Sequence, residues 1–212
     1  MNVPAKTPKI IKLLGKGLRF TVQTTEPVVY LTFDDGPIPG LTPWILDQLD
    51  VFGASATFFM VGENAGRNPD LVAEILDRGH QIGNHTHNHR NGFKTKLKDY
   101  LDNVALCAEE LKPFLTDKSP LLFRPPYGRI LPRQIYNLRK RGYQIILWDV
   151  LSKDYDTSLE PETVVRNVLD NVNPGSIIVM HDNIKAEKNV KAALPEILLG
   201  LKSMGYRMEV LG

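Results

Sequence analysis

The feature that most constrains this chain is an alternation. Short β-rich runs, each closed by a turn signal, are followed by longer segments whose apolar residues recur at helical spacing. Candidate strands cover residues 28–33, 56–61, 81–84, 121–124, 144–150, 176–180 and 206–210. Several are apolar throughout, as strands covered on both faces are. Repeated βα units make a parallel sheet. About seven of them in this length give an α/β fold that is either a small, incomplete (β/α) barrel or an open doubly wound sheet.

The segments between the strands carry helix signals. Asn68 before Pro69 reads as an N-cap with proline at the first helical position, and Gly79 as the glycine that ends a helix over residues 71–78. Further helices are expected over residues 42–52, 97–114, 132–141, 161–171 and 190–204. No linker or low-complexity tract follows residue 25, so one domain is expected over 26–212, preceded by a basic and apolar extension, 1–25, packing on it. An apolar share of 42% supports a sizeable core, and a net charge of +2 gives none of the basic footprint of a nucleic-acid binder. The single cysteine, Cys107, rules out an internal disulfide framework.

No apolar run reaches the roughly 20 residues of a membrane span. Lys12 and Lys16 interrupt residues 10–18, the one candidate signal-peptide core, so a cytoplasmic location is expected. Residues 6–19 set Lys6, Lys9, Lys12, Lys16 and Arg19 among Ile10, Ile11, Leu13, Leu14 and Leu18. This stretch is expected to pack on the domain, and a weak contact with an anionic membrane surface is its alternative reading.

The polar residues that interrupt this pattern cluster at predicted strand ends, where barrel enzymes place their chemistry. Thr32-Phe33-Asp34-Asp35-Gly36-Pro37 ends a buried strand with two adjacent carboxylates. Burying such a pair is costly unless a metal ion or an arginine compensates; an Asp-Gly turn capping the next helix is the alternative. In Asn84-His85-Thr86-His87-Asn88-His89, three of the five histidines fall together. His85 and His89 are four apart, so on a helical turn they share a face, the spacing of paired zinc ligands. His87 should point away, and His80, before the strand, reads as structural. Two imidazoles and one carboxylate leave positions open for water, as in catalytic sites, where zinc lowers the pKa of bound water to about 7. The second aspartate of the pair is then free to act as base. Arg124 is aimed by Pro125 and Pro126, either into a site or into a structural salt bridge. His181, in Ile178-Val179-Met180-His181-Asp182, reads as a site residue or a structural histidine.

In order, Thr32 to Gly36, His85-Thr86-x-x-His89, Arg124 to Gly128, Trp148 to Tyr155 and Val179-x-His181 resemble the motifs of the polysaccharide deacetylases, carbohydrate esterase family 4, the NodB-type homology domain. The resemblance covers about residues 28–211. It implies a distorted (β/α) barrel, a divalent metal with zinc as first choice, and hydrolysis of N-acetyl groups on N-acetylglucosamine saccharides of chitin or peptidoglycan type. It makes Asp35, His85 and His89 the metal ligands, Asp34 the base, His181 the general acid and Arg124 the partner that keeps Asp34 ionised. The backbone N–H of Tyr127 becomes an oxyanion donor, and Pro126, Tyr127, Trp148, Tyr155 and Val179 the substrate wall.

The fourth motif departs from the pattern. Where the family has Asp-x-x-Asp-Trp this chain has Leu151-Ser152-Lys153-Asp154-Tyr155, so leucine replaces the aspartate that holds the acid histidine protonated. Asp149, two residues earlier on the same strand face, is the expected substitute; pairing with a nearby lysine or arginine is its alternative. Tyr155 for tryptophan and Val179 for leucine change the acetyl pocket but keep it apolar, a difference of about 1 to 3 kcal/mol per methylene in substrate preference. The competing functions are hydrolysis of another amide (a formamide, a cyclic imide or a small acetylated amino sugar) and silent glycan binding.

Overall fold

The computed structural model describes residues 4–212; residues 1–3 of the predicted extension lie outside the described part. The chain begins with α1 (Lys9–Leu14), β1 (Leu18–Arg19), β2 (Val28–Asp34), α2 (Leu41–Phe52), β3 (Ala56–Met60), α3 (Gly62–Arg67), α4 (Pro69–Asp77) and β4 (Gln81–Asn84). It continues with α5 (Leu97–Leu111), β5 (Leu122–Phe123), α6 (Pro132–Lys140), β6 (Gln144–Ile146), β7 (Val150–Leu151), α7 (Pro161–Leu169), β8 (Ile177–His181), α8 (Glu187–Ser203) and β9 (Arg207–Met208). The strands run in the order β1-β6-β5-β4-β3-β2-β8-β7, all neighbours parallel, and β9 pairs with the start of β2. This curled sheet with its helices is a distorted (β/α) barrel.

Alternation along the strands divides the core. Phe33, Phe58, Ile178 and Met180 face outward under α2, α4, α7 and α8 in the main apolar cluster. Phe59, Leu122, Ile146 and Ile177 meet in a separate cluster with Leu211. A third cluster, built on Tyr100, Phe123, Leu138 and Ile145, lies beneath α5 and α6. Burying each such side chain contributes about 1.5 to 3 kcal/mol, which is why the short strands hold their register.

Two local expectations are corrected. The strand expected over 144–150 is broken, because β6 pairs with β5 and β1 whereas β7 pairs with β8. At the break, the carbonyls of Ile146 and Leu147 accept from the Arg124 guanidinium instead of a neighbouring strand. Asn68 does not cap α4: its side-chain amide donates to the carbonyls of Asn64 and Pro37, tying α4 to the unpredicted α3. Gly79 does end the helix as expected, at φ 79.

The break between β6 and β7 is filled by the N-terminal segment. Leu18 and Arg19 pair with Ile145 and Ile146, and the Arg19 carbonyl accepts from Leu147. On the other side, Thr7 N–H donates to the Asp149 carbonyl, Leu151 N–H to Ala5, and Val22 N–H to Gly175. Residues 5–22 therefore form the seam of the barrel. Lys6 and Lys12, two of the five cations in 6–19, turn inward to Asp149, while Ile10, Ile11 and Leu13 are exposed. Among the described residues no helix is long and apolar enough to cross a membrane.

Asp149 is thus a seam residue, buried between Lys6 at 2.6 Å, Lys12, and the Ser176 hydroxyl at 2.6 Å. Burial alone would raise its pKa; hydrogen bonds from Lys12 and Lys6 reverse this and lower it. A depressed carboxylate contributes stability above its unfolded pKa near 3.8 that is lost as pH falls through the folded value. Asp149→Asn is expected to cost about 1 to 3 kcal/mol in urea unfolding at pH 7, the range for hydrogen bonds to a charged group, and to leave the alkaline limb of the rate profile in place. A displaced limb would return Asp149 to the chemistry.

Candidate active site

Five strand ends and the turns after them deliver the predicted residues, except Asp149 and Pro126, to one edge of the barrel. In the β2–β8 register Asp34 lies directly beside His181. The chain then turns sharply at Asp35, whose φ is 90. Gly36 is required here, because a Cβ would lie 1.8 Å from Asp182 Oδ2. Asp182 accepts from Gly36 N–H and from the Thr42 hydroxyl, both at 2.8 Å. Burial pushes the Asp182 carboxyl up to about 8 against those hydrogen bonds.

His85 and His89 converge, though not on a helical turn as expected. No helix forms over 85–91; Thr86 at φ 63 and His89 at φ 53 make a left-handed loop. The Asn84 side chain accepts from Thr86 N–H at 2.9 Å, and the Thr86 hydroxyl accepts from Arg90 N–H at 2.9 Å, which hold the loop shut. His85 Nε2 lies 3.5 Å and His89 Nε2 3.1 Å from Asp35 Oδ1. His85 Nδ1 is 2.8 Å from the Arg124 carbonyl, which can only accept, so the proton sits on Nδ1 and the Nε2 lone pair faces Asp35. Burial lowers the His85 pKa to about 4 and keeps the ring neutral. His87, as expected, lies outside this group, and His80 is structural, accepting from Ala56 N–H at 3.2 Å.

Asp35 Oδ1 is buried and takes no aligned hydrogen bond, although two imidazole nitrogens face it. The donor atoms of Asp35, His85 and His89 lie within 4.8 Å of one another. An unpartnered carboxylate oxygen facing a lone pair is repulsive until a cation sits between them, so these residues fit a divalent metal. The other oxygen, Oδ2, accepts from Asn183 Nδ2 at 2.6 Å, a contact the sequence did not reveal. Burial would raise the Asp35 pKa, but the His89 contact and the field of His85 hold it well below the ordinary value.

Arg124 is fully buried behind Asp34. Its Nη1 donates to Asp34 Oδ1 and to the Thr32 hydroxyl, each at 2.6 Å, and the guanidinium lies 4.1 Å above the Phe59 ring. This locks one oxygen of Asp34 and leaves the other towards the cavity, 3.9 Å from His85 Nε2.

His181 is held by Asp154, not by Asp149. Asp154 Oδ1 is 2.7 Å from His181 Nδ1 and Oδ2 accepts from His181 N–H at 2.7 Å. Burial would lower the His181 pKa; the Asp154 charge overcomes it and raises it to about 9. The same-face argument for Asp149 fails on depth. Asp149 sits two residues before Leu151, about 7 Å further from the strand end, whereas Lys153, at φ 62, turns the chain so that Asp154 swings under the histidine. Asp154 was the one carboxylate left within Leu151 to Tyr155, and that was the signal available.

Asp34, Asp35, His85, His89, His181 and Asn183 line a cavity of about 480 Å³ whose apolar wall is Tyr127, Trp148, Leu151, Tyr155 and Val179. Pro126 does not reach it; it is buried and shapes the turn that puts Tyr127 at φ 61. A second cavity of about 460 Å³ lies under α5 and contains none of these residues.

The fold and the site together define a (β/α) barrel whose strand-end cavity has a seat that fits one divalent cation. Comparison with known proteins places it more closely. The family described as polysaccharide deacetylase matches residues 21–146. A peptidoglycan-N-acetylglucosamine deacetylase of Bacillus cereus is 40% identical, covering 88% of this chain and 87% of its own length. A chitooligosaccharide deacetylase of Azorhizobium caulinodans is 29% identical over 95% of this chain and all of its own. The crystal structure of a peptidoglycan N-acetylglucosamine deacetylase in complex with 4-naphthalen-1-yl-N-oxidanyl-benzamide superposes with a TM-score of 0.87 at 35% identity, covering 97% of this chain and 95% of that one. The chain belongs to the polysaccharide deacetylases, carbohydrate esterase family 4.

Proposed function

We propose that the protein hydrolyses the N-acetyl group of N-acetylglucosamine within a peptidoglycan- or chitooligosaccharide-type saccharide, with a divalent metal, zinc first, held by Asp35, His85 and His89. The observation that carries this reading is the unpartnered Asp35 Oδ1 facing both imidazoles, in one cavity with Asp34 and His181. When bound, the metal supplies Lewis-acid polarisation to the acetamide carbonyl and to the attacking water.

The chain's own groups supply the rest. The free oxygen of Asp34 takes the proton from the water while Arg124 fixes the other oxygen. His181 presents Nε2 to the leaving nitrogen, since Asp154 occupies Nδ1, and donates the proton that releases the amine. The Tyr127 N–H, on the left-handed turn at the cavity edge, is the donor assigned to the tetrahedral oxyanion. Trp148, Leu151, Tyr155 and Val179 enclose the acetyl methyl and keep bulk water out.

Acetate release from N-acetylglucosamine oligomers, peptidoglycan fragments and the monomer tests this, comparing chelated protein with protein resupplied with zinc. Release is expected only with metal, and the panel reports the saccharide class. No release from any of them by metal-loaded protein would move the assignment to another amide or to silent glycan binding.

Asn183 offers a second test. By holding Asp35 Oδ2 it decides which oxygen is free for the metal, and its own side-chain Oδ1 accepts from Ala186 N–H at 2.9 Å. Partners of ligands are typically worth about 10- to 100-fold in metal affinity. Asn183→Leu is expected to weaken zinc binding by that factor in competition with a chromophoric chelator; unchanged affinity would show that Asp35 needs no such support.

A further inference from the structure

Beside the catalytic cavity runs an open groove of about 650 Å³ that shares His89, Tyr127 and Arg129 with it. Its lining adds Arg90 and Lys94 among asparagines and a threonine, and contains no carboxylate. Among the described residues none of Arg90, Lys94 and Arg129 has an ion-pair partner within 4.0 Å. Of the acids joined to this loop, Asp35 faces His89 on the side of the catalytic cavity, and Glu63, which accepts from Asn88, is already paired with Arg67.

The groove is built rather than incidental. The Asn91 side chain accepts from Phe93 N–H at 3.0 Å, the Thr95 hydroxyl donates to the Asn91 carbonyl, and Gln134 on α6 donates to the Gly92 carbonyl at 2.9 Å. A Cβ at Gly92 would lie 2.3 Å from the Arg129 carbonyl, so glycine alone lets the loop carrying Arg90 and Lys94 close against the segment carrying Arg129. Tyr127 forms the wall between groove and cavity, its ring 60% exposed and its hydroxyl 3.1 Å from His89 Nδ1. An exposed aromatic face beside a polar, cationic floor suits a sugar ring that carries an anionic substituent.

We propose that this groove is a subsite for a carboxylate-bearing sugar adjoining the one that is deacetylated, with Arg90, Lys94 and Arg129 receiving the carboxylate. The inference rests on the saccharide deacetylase reading and deepens it. It selects peptidoglycan-type strands without stem peptides, in which N-acetylmuramic acid keeps a free carboxylate beside N-acetylglucosamine, over neutral chitin-type chains and over strands whose carboxyl is amide-linked to peptide. Because the groove shares three residues with the catalytic cavity, the neighbouring sugar of the same chain enters it while the acetamide sits beside Asp34 and His181.

The test uses a matched pair of probes: the disaccharide of N-acetylglucosamine and N-acetylmuramic acid with its free carboxylate, and the same disaccharide with that group converted to the carboxamide. With zinc-loaded protein at low salt, kcat/KM is expected to favour the acid by about three- to tenfold, the size expected of a few exposed charge pairs, mainly through KM. The preference should shrink at high salt, as screening shortens the reach of exposed charges. The double variant Arg90→Gln, Lys94→Gln, checked for an unchanged melting temperature, should bring the acid-to-amide ratio close to one. Equal turnover of the two probes by the unaltered protein, or a preference that survives in the double variant, would overturn the proposal. If neither probe is deacetylated, calorimetric binding separates the two readings. Tighter binding of the acid that the double variant abolishes keeps the subsite while the deacetylase reading fails, and equal binding of acid and amide removes the subsite as well.

Discussion

Asp154→Asn is expected to lower kcat for the proposed deacetylation by about 10²- to 10⁴-fold at pH 8, the range contributed by a positioned general acid. His181 is buried, and burial by itself favours its neutral ring; the Asp154 carboxylate at 2.7 Å reverses this and raises its pKa to about 9. An amide carries no charge to do so, and the ring becomes neutral in the working range. Asp34 and Asp35 also pull the His181 value upward, more weakly, and a cation among the metal ligands cancels that share. In the loaded protein the alkaline limb therefore lies below 9 and is held up by Asp154. In Asp154→Asn it should move to the acid side of 6.5, so the loss deepens as pH rises. The same shift is a stability statement: a raised histidine contributes stability that is full below its unfolded pKa and lost as pH rises through the folded one. Rate profiles and a titration of the His181 ring by NMR check both. A variant that keeps the original limb would remove Asp154 from the acid's support.

Arg124→Met has the largest effect on folding, about 3 to 5 kcal/mol, because it leaves a buried carboxylate without its partner. Asp34 loses its 2.6 Å donor, and the carbonyls of Ile146 and Leu147, which have left the strand ladder, lose theirs. Arg124→Lys is expected to recover only part of the loss, since a single ammonium cannot serve Thr32, Asp34 and two carbonyls at once. The double variant Asp34→Leu, Arg124→Met should be more stable than Arg124→Met alone while remaining inactive. Urea unfolding of the set measures each step, and Arg124→Met as stable as the unaltered protein would contradict the buried pairing.

Legibility in the sequence followed the range of the interactions. The strands β2, β3 and β4 could be read almost to the residue because their apolar runs decide their own burial. The break between β6 and β7 could not, because it depends on which distant segments pair on each side and on an arginine 22 residues before Ile146 in the chain. His85 and His89 were visible as a ligand pair from clustering alone, yet their approach comes from left-handed backbone at Thr86 and His89, for which residue type gives little sign. Asp154 was passed over because strand periodicity pointed to Asp149, and periodicity reports which way a side chain faces, not how far along the strand it lies. Asn183 and Asp182 follow a strand end, where such residues ordinarily make turns; only the folded chain shows one holding Asp35 and the other the turn before Pro37.

The seam has a consequence for how the barrel is assembled. Residues 5–22 leave the ribosome before any of their partners, and the groups they bond, from Ile145 to Ser176, follow more than a hundred residues later. Closing so long a loop is entropically slow and cannot begin until those partners exist. Until then β6 and β7 present open edges, the kind of surface on which chains pair with one another. Nascent or refolding chains should accordingly be most prone to aggregate just before residues 5–22 find their place, and Lys6 and Lys12, by latching onto Asp149, set how firmly that last closure holds.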